Sequence, residues 1–121
     1  MPGKTILIVD DSKVSRMMIS ALITDIDNSF KLVEAENGDH ALEVIKTEKI
    51  DYFSVDYNMP GMNGLELIDK LKPNYPDAKM SLLTANVQDG IRTECDERRI
   101  KFTDKPVNES CIKAMLEYFH G

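Results

Sequence analysis

Three aspartates, a threonine and a lysine stand where they could bind a metal ion and transfer a phosphoryl group. They are Asp10-Asp11, Asp56, Thr84 and Lys105, and each follows or ends a short hydrophobic run. Crowded carboxylates repel one another unless a cation joins them, and Mg²⁺ prefers oxygen ligands. A carboxylate facing a metal-bound phosphoryl group is a competent nucleophile, while a lysine and a hydroxyl can hold phosphoryl oxygens. Phosphoryl transfer needs little beyond such positioning and charge compensation.

These residues can meet only if the ends of several strands converge. Short apolar runs cover residues 4–9, 30–35, 51–55, 80–84 and 101–103, and they alternate with segments of helical periodicity. This alternation indicates an α/β fold with a five-stranded parallel sheet, because parallel strands need crossover connections. Right-handed crossovers place helices on both faces of the sheet. Chemistry in such sheets collects at the carboxyl ends of the strands, so the sequence predicts one shared site there.

Apolar residues at helical spacing predict the inner face of each helix. In the first helix we expect an inner stripe of Val14, Met17, Met18, Ala21 and Leu22. The seven methionines are interpreted as gap-filling core residues. The later helices are expected to bury Ala41, Leu42 and Ile45, then Leu65, Ile68 and Leu71, then a thin stripe of Val87, Ile91 and Cys95, and finally Ile112, Met115, Leu116 and Phe119.

Composition and charge exclude several classes of function. The 121 residues suit one domain, and the net charge of -6 argues against a nucleic-acid surface. No apolar run approaches the roughly 20 residues that span a bilayer, and the N-terminus lacks a signal-peptide core. We therefore expect a monomeric, cytoplasmic protein without nucleic-acid or membrane partners. Cys95 and Cys111 have no metal-ligand spacing with His40 or His120 and are interpreted as small buried hydrophobes.

The chain resembles the receiver domains of two-component response regulators over essentially its whole length. The resemblance implies a (βα)5 flavodoxin-like fold and a signalling phosphoacceptor, not an enzyme. Because no output domain follows within residues 1–121, the chain is most similar to stand-alone chemotaxis-type regulators. Each matching motif is weak alone, but all of them occur in order and at strand ends: the pair Asp10-Asp11, Asp56 before the loop of residues 58–64, Thr84-Ala85, and Lys105-Pro106.

The resemblance also implies a role for each acidic residue. Asp56 would accept a phosphoryl group from the phosphohistidine of a histidine kinase. Asp11, Asp56 and the backbone carbonyl of Asn58 would hold Mg²⁺ directly, and Asp10 would act largely through water. The resemblance thus predicts a phosphorylation site that depends on Mg²⁺.

Three further residues would bind and report the phosphoryl group. Lys105 would bridge to it, and the bond from Lys105 to Pro106 is typically cis in this family. Thr84 would move toward the phosphoryl group, and the aromatic ring of Phe102 would turn in response. The signal would then leave through the surface of the fourth helix, fifth strand and fifth helix, toward a downstream target such as a flagellar motor switch or a relay protein.

Three alternatives remain open from the sequence. A haloacid dehalogenase-type phosphatase also forms a phospho-aspartate, but it carries a second aspartate where this chain has Asn58. A flavodoxin-like binding module would need a phosphate-cradling loop, and Asp10-Asp11 would repel phosphate. A phosphorelay intermediate or phosphate sink would share every site residue, so only its partners would distinguish it.

The chain departs from the family pattern at the end of the fourth helix. Family members usually carry a glycine there, in the left-handed conformation that closes the turn. Residues 96–100 contain no glycine. Either Arg99 adopts that conformation or the helix ends differently.

Overall fold

Strands and helices alternate along the chain in this structure, a computed structural model that describes residues 3–85 and 89–121. The predicted strands differ from the observed ones by one residue at one end, except the third, which is shifted by one residue at both ends. The strands are β1 (Thr5–Val9), β2 (Lys31–Ala35), β3 (Tyr52–Asp56), β4 (Lys79–Thr84) and β5 (Lys101–Asp104). The helices are α1 (Lys13–Ile26), α2 (Gly38–Val44), α3 (Gly64–Leu71), α4 (Asp89–Arg98) and α5 (Glu109–His120).

The strands form one parallel sheet in the order β2-β1-β3-β4-β5. The chain passes from β1 outward to β2 and then returns to β3 on the other side of β1. The strand order therefore reverses between β1 and β3, where the pairing of Val9 with Val55 brings the two strand ends side by side. Open parallel sheets bind ligands at such a reversal. The predicted flavodoxin-like α/β fold is confirmed.

Alternation along the strands divides the core into two layers. Leu7 and Phe53 point to the face covered by α2, α3 and α4. Ile6 and Ile8 point to the opposite face, which α1 and α5 cover. Each layer is apolar, so burial of both strand faces holds the sheet between two helical layers.

The inner face predicted for α1 is wrong. Val14, Met17 and Met18 are exposed to 66%, 58% and 47%, and Ala21 is exposed as well. The face against the sheet instead carries the buried Ile19 and Ile23 and the half-buried Ile26. Leu22 is partly buried beside them.

The other helices follow their predicted stripes where the structure describes them. Ile112, Met115 and Phe119 of α5 are buried, as are Ile68 and Leu71 of α3. Val87 lies outside the described residues. The interpretation of the methionines holds for Met59, Met80 and Met115, which are buried, and fails for the two exposed methionines of α1. Cys95 is buried, Cys111 is half-buried, and both are free thiols.

The C-terminal end of α4 is fastened to its neighbours. Arg98 forms two hydrogen bonds to Asp69 of α3, from Nε to Oδ1 at 2.8 Å and from Nη2 to Oδ2 at 2.9 Å. Arg99 then takes the left-handed conformation, with φ at 57°. The amide of Ile100 donates to the carbonyl of Cys95 at 3.1 Å, which closes the helix as a glycine-ended turn would. The alternative in which Arg99 itself adopts the left-handed conformation is therefore confirmed.

Within residues 3–85 and 89–121, every helix is too short or too polar to cross a bilayer.

Candidate metal and phosphorylation site

Three carboxylates meet at the strand-order reversal. Asp10 and Asp11 follow β1 directly, and Asp56 ends β3. One oxygen from each lies within 4.8 Å of the others. Asp10 and Asp56 are 1% and 4% exposed, whereas Asp11 is exposed to solvent. This acidic cluster, defined as Asp10, Asp11 and Asp56, can hold a metal ion, because oxygen ligands at such spacing suit a hard divalent cation.

Lys105 completes the cluster from the end of β5. Its Nζ lies 3.0 Å from Asp56 Oδ1 and 3.1 Å from Asp10 Oδ2. Burial opposes the charged form, but the hydrogen bonds and charges of Asp56 and Asp10 outweigh it and raise the pKa of Lys105. The peptide bond from Lys105 to Pro106 is cis, as the resemblance implied. One cation therefore bridges two of the three carboxylates.

The carboxyl group of Asp56 has an elevated pKa. Burial is the largest cause, and the charges of Asp10 and Asp11 add to it, while the hydrogen bond from Lys105 opposes them. The result is a pKa of about 6 in place of 3.8. Asp56 is thus ionised at neutral pH, yet its charge is poorly compensated by the protein alone. A divalent cation fits this donor set, since it would supply the missing positive charge.

Asp10 is held in place by donors that sequence reasoning missed. Ser12, the N-cap of α1, donates its amide to Asp10 Oδ1 at 2.9 Å. Ser15 donates its hydroxyl to Oδ2 at 2.6 Å, and Arg16 Nη1 donates to the backbone carbonyl at 2.7 Å. The N-cap serine was a visible signal for the start of α1. The orientation of α1 about its own axis brings Ser15 and Arg16 to Asp10. The hydrophobic spacing predicted a different orientation, with Val14, Met17 and Met18 facing inward.

The remaining predicted site residues lie around the cluster. Thr84 is buried at the end of β4, and its carbonyl accepts the amide of Lys105 at 3.0 Å. Asn58 is exposed on the loop after β3 and lines one groove with Asp11. The structure therefore brings Lys105 into direct contact with Asp10 and Asp56. It places an oxygen of Asp11 within 4.8 Å of both carboxylates, with Thr84 and Asn58 on adjoining segments.

At Gly64, the loop of residues 58–64 comes back against the end of β3. The Gly64 amide donates to the carbonyl of Tyr57 at 3.0 Å. A Cβ atom at this position would lie 2.5 Å from the backbone carbonyl oxygen of Asp56 and 2.7 Å from a methyl group of Leu82. Only glycine lets α3 begin this close to the cluster.

Phe102 lies apart from the acidic cluster. It is a half-buried residue of β5 that packs against the layer containing α4. The guanidinium carbon of Arg92, on α4, stands 4.3 Å from the centre of the Phe102 ring. This cation–π contact joins α4 to β5 at the surface.

Comparison with known families assigns the chain to a class. Residues 6–117 match the response regulator receiver domain. The chain belongs to this family, a family of signalling phosphoacceptors rather than enzymes, each with a cognate histidine kinase. The phosphatase alternative is not supported by this membership.

Individual relatives are similar over nearly the whole chain. The chemotaxis protein CheY of Thermotoga maritima is 36% identical over 116 residues, which cover 94% of this chain and 95% of that protein. The CheY of Listeria monocytogenes is 34% identical over 114 residues, with 93% and 94% covered. A cyclic di-GMP phosphodiesterase of Thermotoga maritima is 31% identical across 94% of this chain, which spans only 30% of that protein.

Solved structures show the same fold. CheY4 of Vibrio cholerae superposes with a TM-score of 0.87 at 24% identity, covering 97% of this chain and 98% of that one. TrrA of Thermotoga maritima, in complex with Mg²⁺ and BeF, superposes with a TM-score of 0.82 at 27% identity, covering 96% and 98%. The chain that carries the acidic cluster thus shares its fold with a response regulator whose structure was solved in complex with Mg²⁺ and BeF.

Proposed function

We propose that residues 1–121 form a single-domain response regulator that accepts a phosphoryl group on Asp56 from a histidine kinase in a Mg²⁺-dependent reaction. The observation that carries this proposal is the contact of Lys105 Nζ with Asp56 Oδ1 at 3.0 Å, inside a cluster of three carboxylates. A half-buried lysine with two carboxylate partners has a clear use if a phosphoryl group later replaces one of them.

The chemistry follows from the ionised carboxylate of Asp56. One of its oxygens attacks the phosphorus of the phosphohistidine, the P–N bond breaks, and the imidazole leaves. Lys105 supplies a positive charge to the phosphoryl oxygens, and Thr84 supplies a hydroxyl. Phosphoryl transfer asks the protein mainly for this positioning and charge compensation.

The acidic cluster would hold the metal ion. Asp11, Asp56 and the backbone carbonyl of Asn58 are the proposed direct ligands, and Asp10 is the proposed partner of metal-bound water. This division agrees with exposure and hydrogen bonding, because both oxygens of Asp10 already accept donors while Asp11 is exposed. When bound, Mg²⁺ supplies charge neutralisation among the carboxylates and the incoming phosphoryl oxygens.

The outer face of α1 is the proposed docking surface for the kinase. Val14, Met17 and Met18 are exposed apolar side chains. Val14 and Met18 also line a groove of 400 Å³ that reaches Lys105 and Pro106. A phosphohistidine must come within bonding distance of Asp56, so its carrier must cover the surface beside Lys105. Met18→Glu should slow phosphotransfer from the kinase at least tenfold and leave phosphorylation by acetyl phosphate unchanged.

The proposed output is a movement of Thr84 toward the phosphoryl group and an inward turn of the Phe102 ring. This would alter the surface formed by α4, β5 and α5. The half-buried position of Phe102 beside α4 supports the proposal, since the ring has both solvent and core within reach. Similarity to chemotaxis proteins favours a target such as a flagellar motor switch.

The test is phosphorylation by acetyl phosphate with Mg²⁺, followed by mass spectrometry. We expect one added phosphoryl group in the parent and none in Asp56→Asn. An equally phosphorylated Asp56→Asn protein would exclude Asp56 as the acceptor. Recovery of partners on beryllofluoride-treated protein would separate a motor regulator from a relay intermediate or sink, because a relay would capture a histidine phosphotransfer protein.

A further inference from the structure

The side chain of Asp10 is more firmly bound than those of its acidic neighbours. Its Oδ1 accepts the amide of Ser12 at 2.9 Å. Its Oδ2 accepts the hydroxyl of Ser15 at 2.6 Å and Nζ of Lys105 at 3.1 Å. Lys105 is shared with Asp56, so a continuous chain of hydrogen bonds runs from α1 through Asp10 and Lys105 to Asp56.

We propose that Ser15 is a positioning residue for this site, acting through Asp10 on both the metal ion and Lys105. The inference rests on the proposed function and extends it to a residue of α1 whose hydroxyl donates to Asp10 rather than to the proposed metal ligands Asp11 and Asp56. Ser15 acts by fixing the orientation of the Asp10 carboxylate before any ligand arrives.

The first consequence concerns the metal ion. A carboxylate that contacts metal-bound water contributes most when its orientation is already fixed, because no rotamer freedom is then lost on binding. Asp10 is buried, and its fixed orientation depends on the Ser12 amide at one oxygen and the Ser15 hydroxyl at the other. Removal of the hydroxyl leaves Oδ2 with Lys105 as its one remaining donor, which fixes the carboxylate less firmly, so Mg²⁺ should bind more weakly.

The second consequence concerns Lys105. After transfer, Lys105 must turn toward the phosphoryl group on Asp56, which takes a donor away from the buried carboxylate of Asp10. Ser15 leaves Asp10 with a donor on each oxygen when this happens. Without Ser15, Oδ2 of Asp10 depends on Lys105 alone, and Lys105 is released less readily.

The chain offers two matched variants for the test. Ser15→Thr keeps the hydroxyl at the same position, while Ser15→Ala removes it. Ser20→Ala removes a hydroxyl from the same helix, and Ser20 Oγ has no hydrogen-bond partner within residues 3–85 and 89–121. Loss of helix stability would affect both alanine variants, whereas loss of positioning would affect only Ser15→Ala.

The first measurement is a Mg²⁺ titration of each full-length variant, monitored by ¹H–¹⁵N NMR, which gives the Kd for Mg²⁺. The second is the rate of phosphorylation by acetyl phosphate at saturating Mg²⁺. We expect the Kd for Mg²⁺ to rise about tenfold in Ser15→Ala, and the saturated rate to fall. In Ser15→Thr and Ser20→Ala, the Kd for Mg²⁺ and the saturated rate should both stay within about twofold of the parent values.

Three outcomes would overturn the inference. A Kd in Ser15→Ala equal to or below that of the parent would exclude positioning of Asp10. An equal loss in Ser15→Thr would show that the effect lies in packing and not in the hydroxyl. A parent protein that binds no Mg²⁺ would overturn the proposed function together with this inference, and the titration of the parent distinguishes that case from the other two.

Discussion

At the scale of single residues, Asp56 combines two conflicting demands. As the proposed nucleophile Asp56 must be ionised, yet it is buried beside Asp10 and Asp11, which disfavour its charge. Lys105 offsets only part of this cost. Asp56 therefore lowers the stability of the folded protein at neutral pH, and the site is arranged for a ligand rather than for the fold.

The first prediction follows from this conflict. The pKa of Asp56 is about 6 in the folded protein and 3.8 as a model value. Between these values the folded state binds a proton more readily than the unfolded chain, so the free energy of unfolding falls as pH rises from 3.8 to 6 and stays lower above that range. Asp56→Asn removes the ionisable group and with it this loss of stability. A shift from 3.8 to about 6 corresponds to about 3 kcal/mol at 1.36 kcal/mol per pKa unit, so in EDTA we expect the variant to be up to about 3 kcal/mol more stable than the parent at neutral pH.

Urea denaturation at two pH values checks this prediction. The advantage of Asp56→Asn should be largest above pH 6 and should shrink as pH falls toward 4, where Asp56 of the parent is itself neutral. Asp25→Asn, at an exposed position of α1, is the control and should change stability little. A variant less stable than the parent at neutral pH would contradict the prediction.

Strand-end residues were the most predictable part of the site. Asp10, Asp11, Asp56 and Lys105 each follow or end a strand, and a parallel sheet brings such ends together without further information. Ser15 was not predictable in the same way. Its contact with Asp10 depends on the rotation of α1 about its axis, which one-dimensional spacing does not specify.

At the scale of elements, α1 shows why that rotation was predicted wrongly. One stripe contains Val14, Met17 and Met18, and another contains Ile19 and Ile23; both repeat at helical spacing. Periodicity identifies a helix but cannot decide which of two apolar stripes faces the sheet. The isoleucines occupy the interior, where they pack against β1 and α5.

The end of α4 carries a second prediction. Arg99 has a φ of 57°, which costs a residue with a Cβ atom roughly 1 kcal/mol. The contact of this segment with α5 runs from the hydroxyl of Tyr118 to the backbone carbonyl of Arg99, so it survives removal of the side chain. Arg99→Gly should therefore raise the free energy of unfolding by up to about 1 kcal/mol in urea denaturation.

Arg99→Ala is the matched control for this change. It removes the same side chain but keeps the Cβ atom, so it should not stabilise the protein. A destabilised Arg99→Gly, or equal effects of the two substitutions, would mean that the arginine side chain contributes more than the backbone strain.

The contact of Arg92 with Phe102 carries a third prediction. The guanidinium stabilises the observed position of the ring by about 0.5–1 kcal/mol, the usual range at exposed sites. Arg92→Ala should therefore shift the population toward the inward ring about two- to fivefold without phosphorylation. ¹⁹F NMR of fluorophenylalanine at Phe102, with and without beryllofluoride, measures this shift.

Glu97→Ala serves as the control for Arg92→Ala, because Glu97 is an exposed residue of the same helix. It should leave the ¹⁹F signal unchanged. If Arg92→Ala also leaves the signal unchanged, the stacked guanidinium has no part in holding the ring.

At the scale of the whole molecule, a metal ion held by the acidic cluster would couple metal binding to folding. A ligand that binds only the folded state stabilises it by mass action, and Mg²⁺ would also relieve repulsion among three carboxylates. The melting temperature should therefore rise by several degrees at millimolar Mg²⁺, consistent with a gain of about 1–2 kcal/mol in a domain of this size. Differential scanning calorimetry measures the rise.

Asp11→Ala should erase most of that rise, since Asp11 is the exposed carboxylate of the cluster. Asp39→Ala, which removes an exposed aspartate of α2, should retain the rise in full. A parent protein whose melting temperature does not respond to Mg²⁺ would count against the metal site.

The exposed apolar face of α1 also bears on how such a protein can evolve. Val14, Met17 and Met18 contribute little to the core, so their substitution costs the fold little, typically within about 0.5 kcal/mol. The acidic cluster, in contrast, is tied to strand ends and to one lysine. If the outer face of α1 receives the kinase as proposed, partner preference can diverge there by drift after a gene duplication, while the proposed chemistry of both copies stays the same.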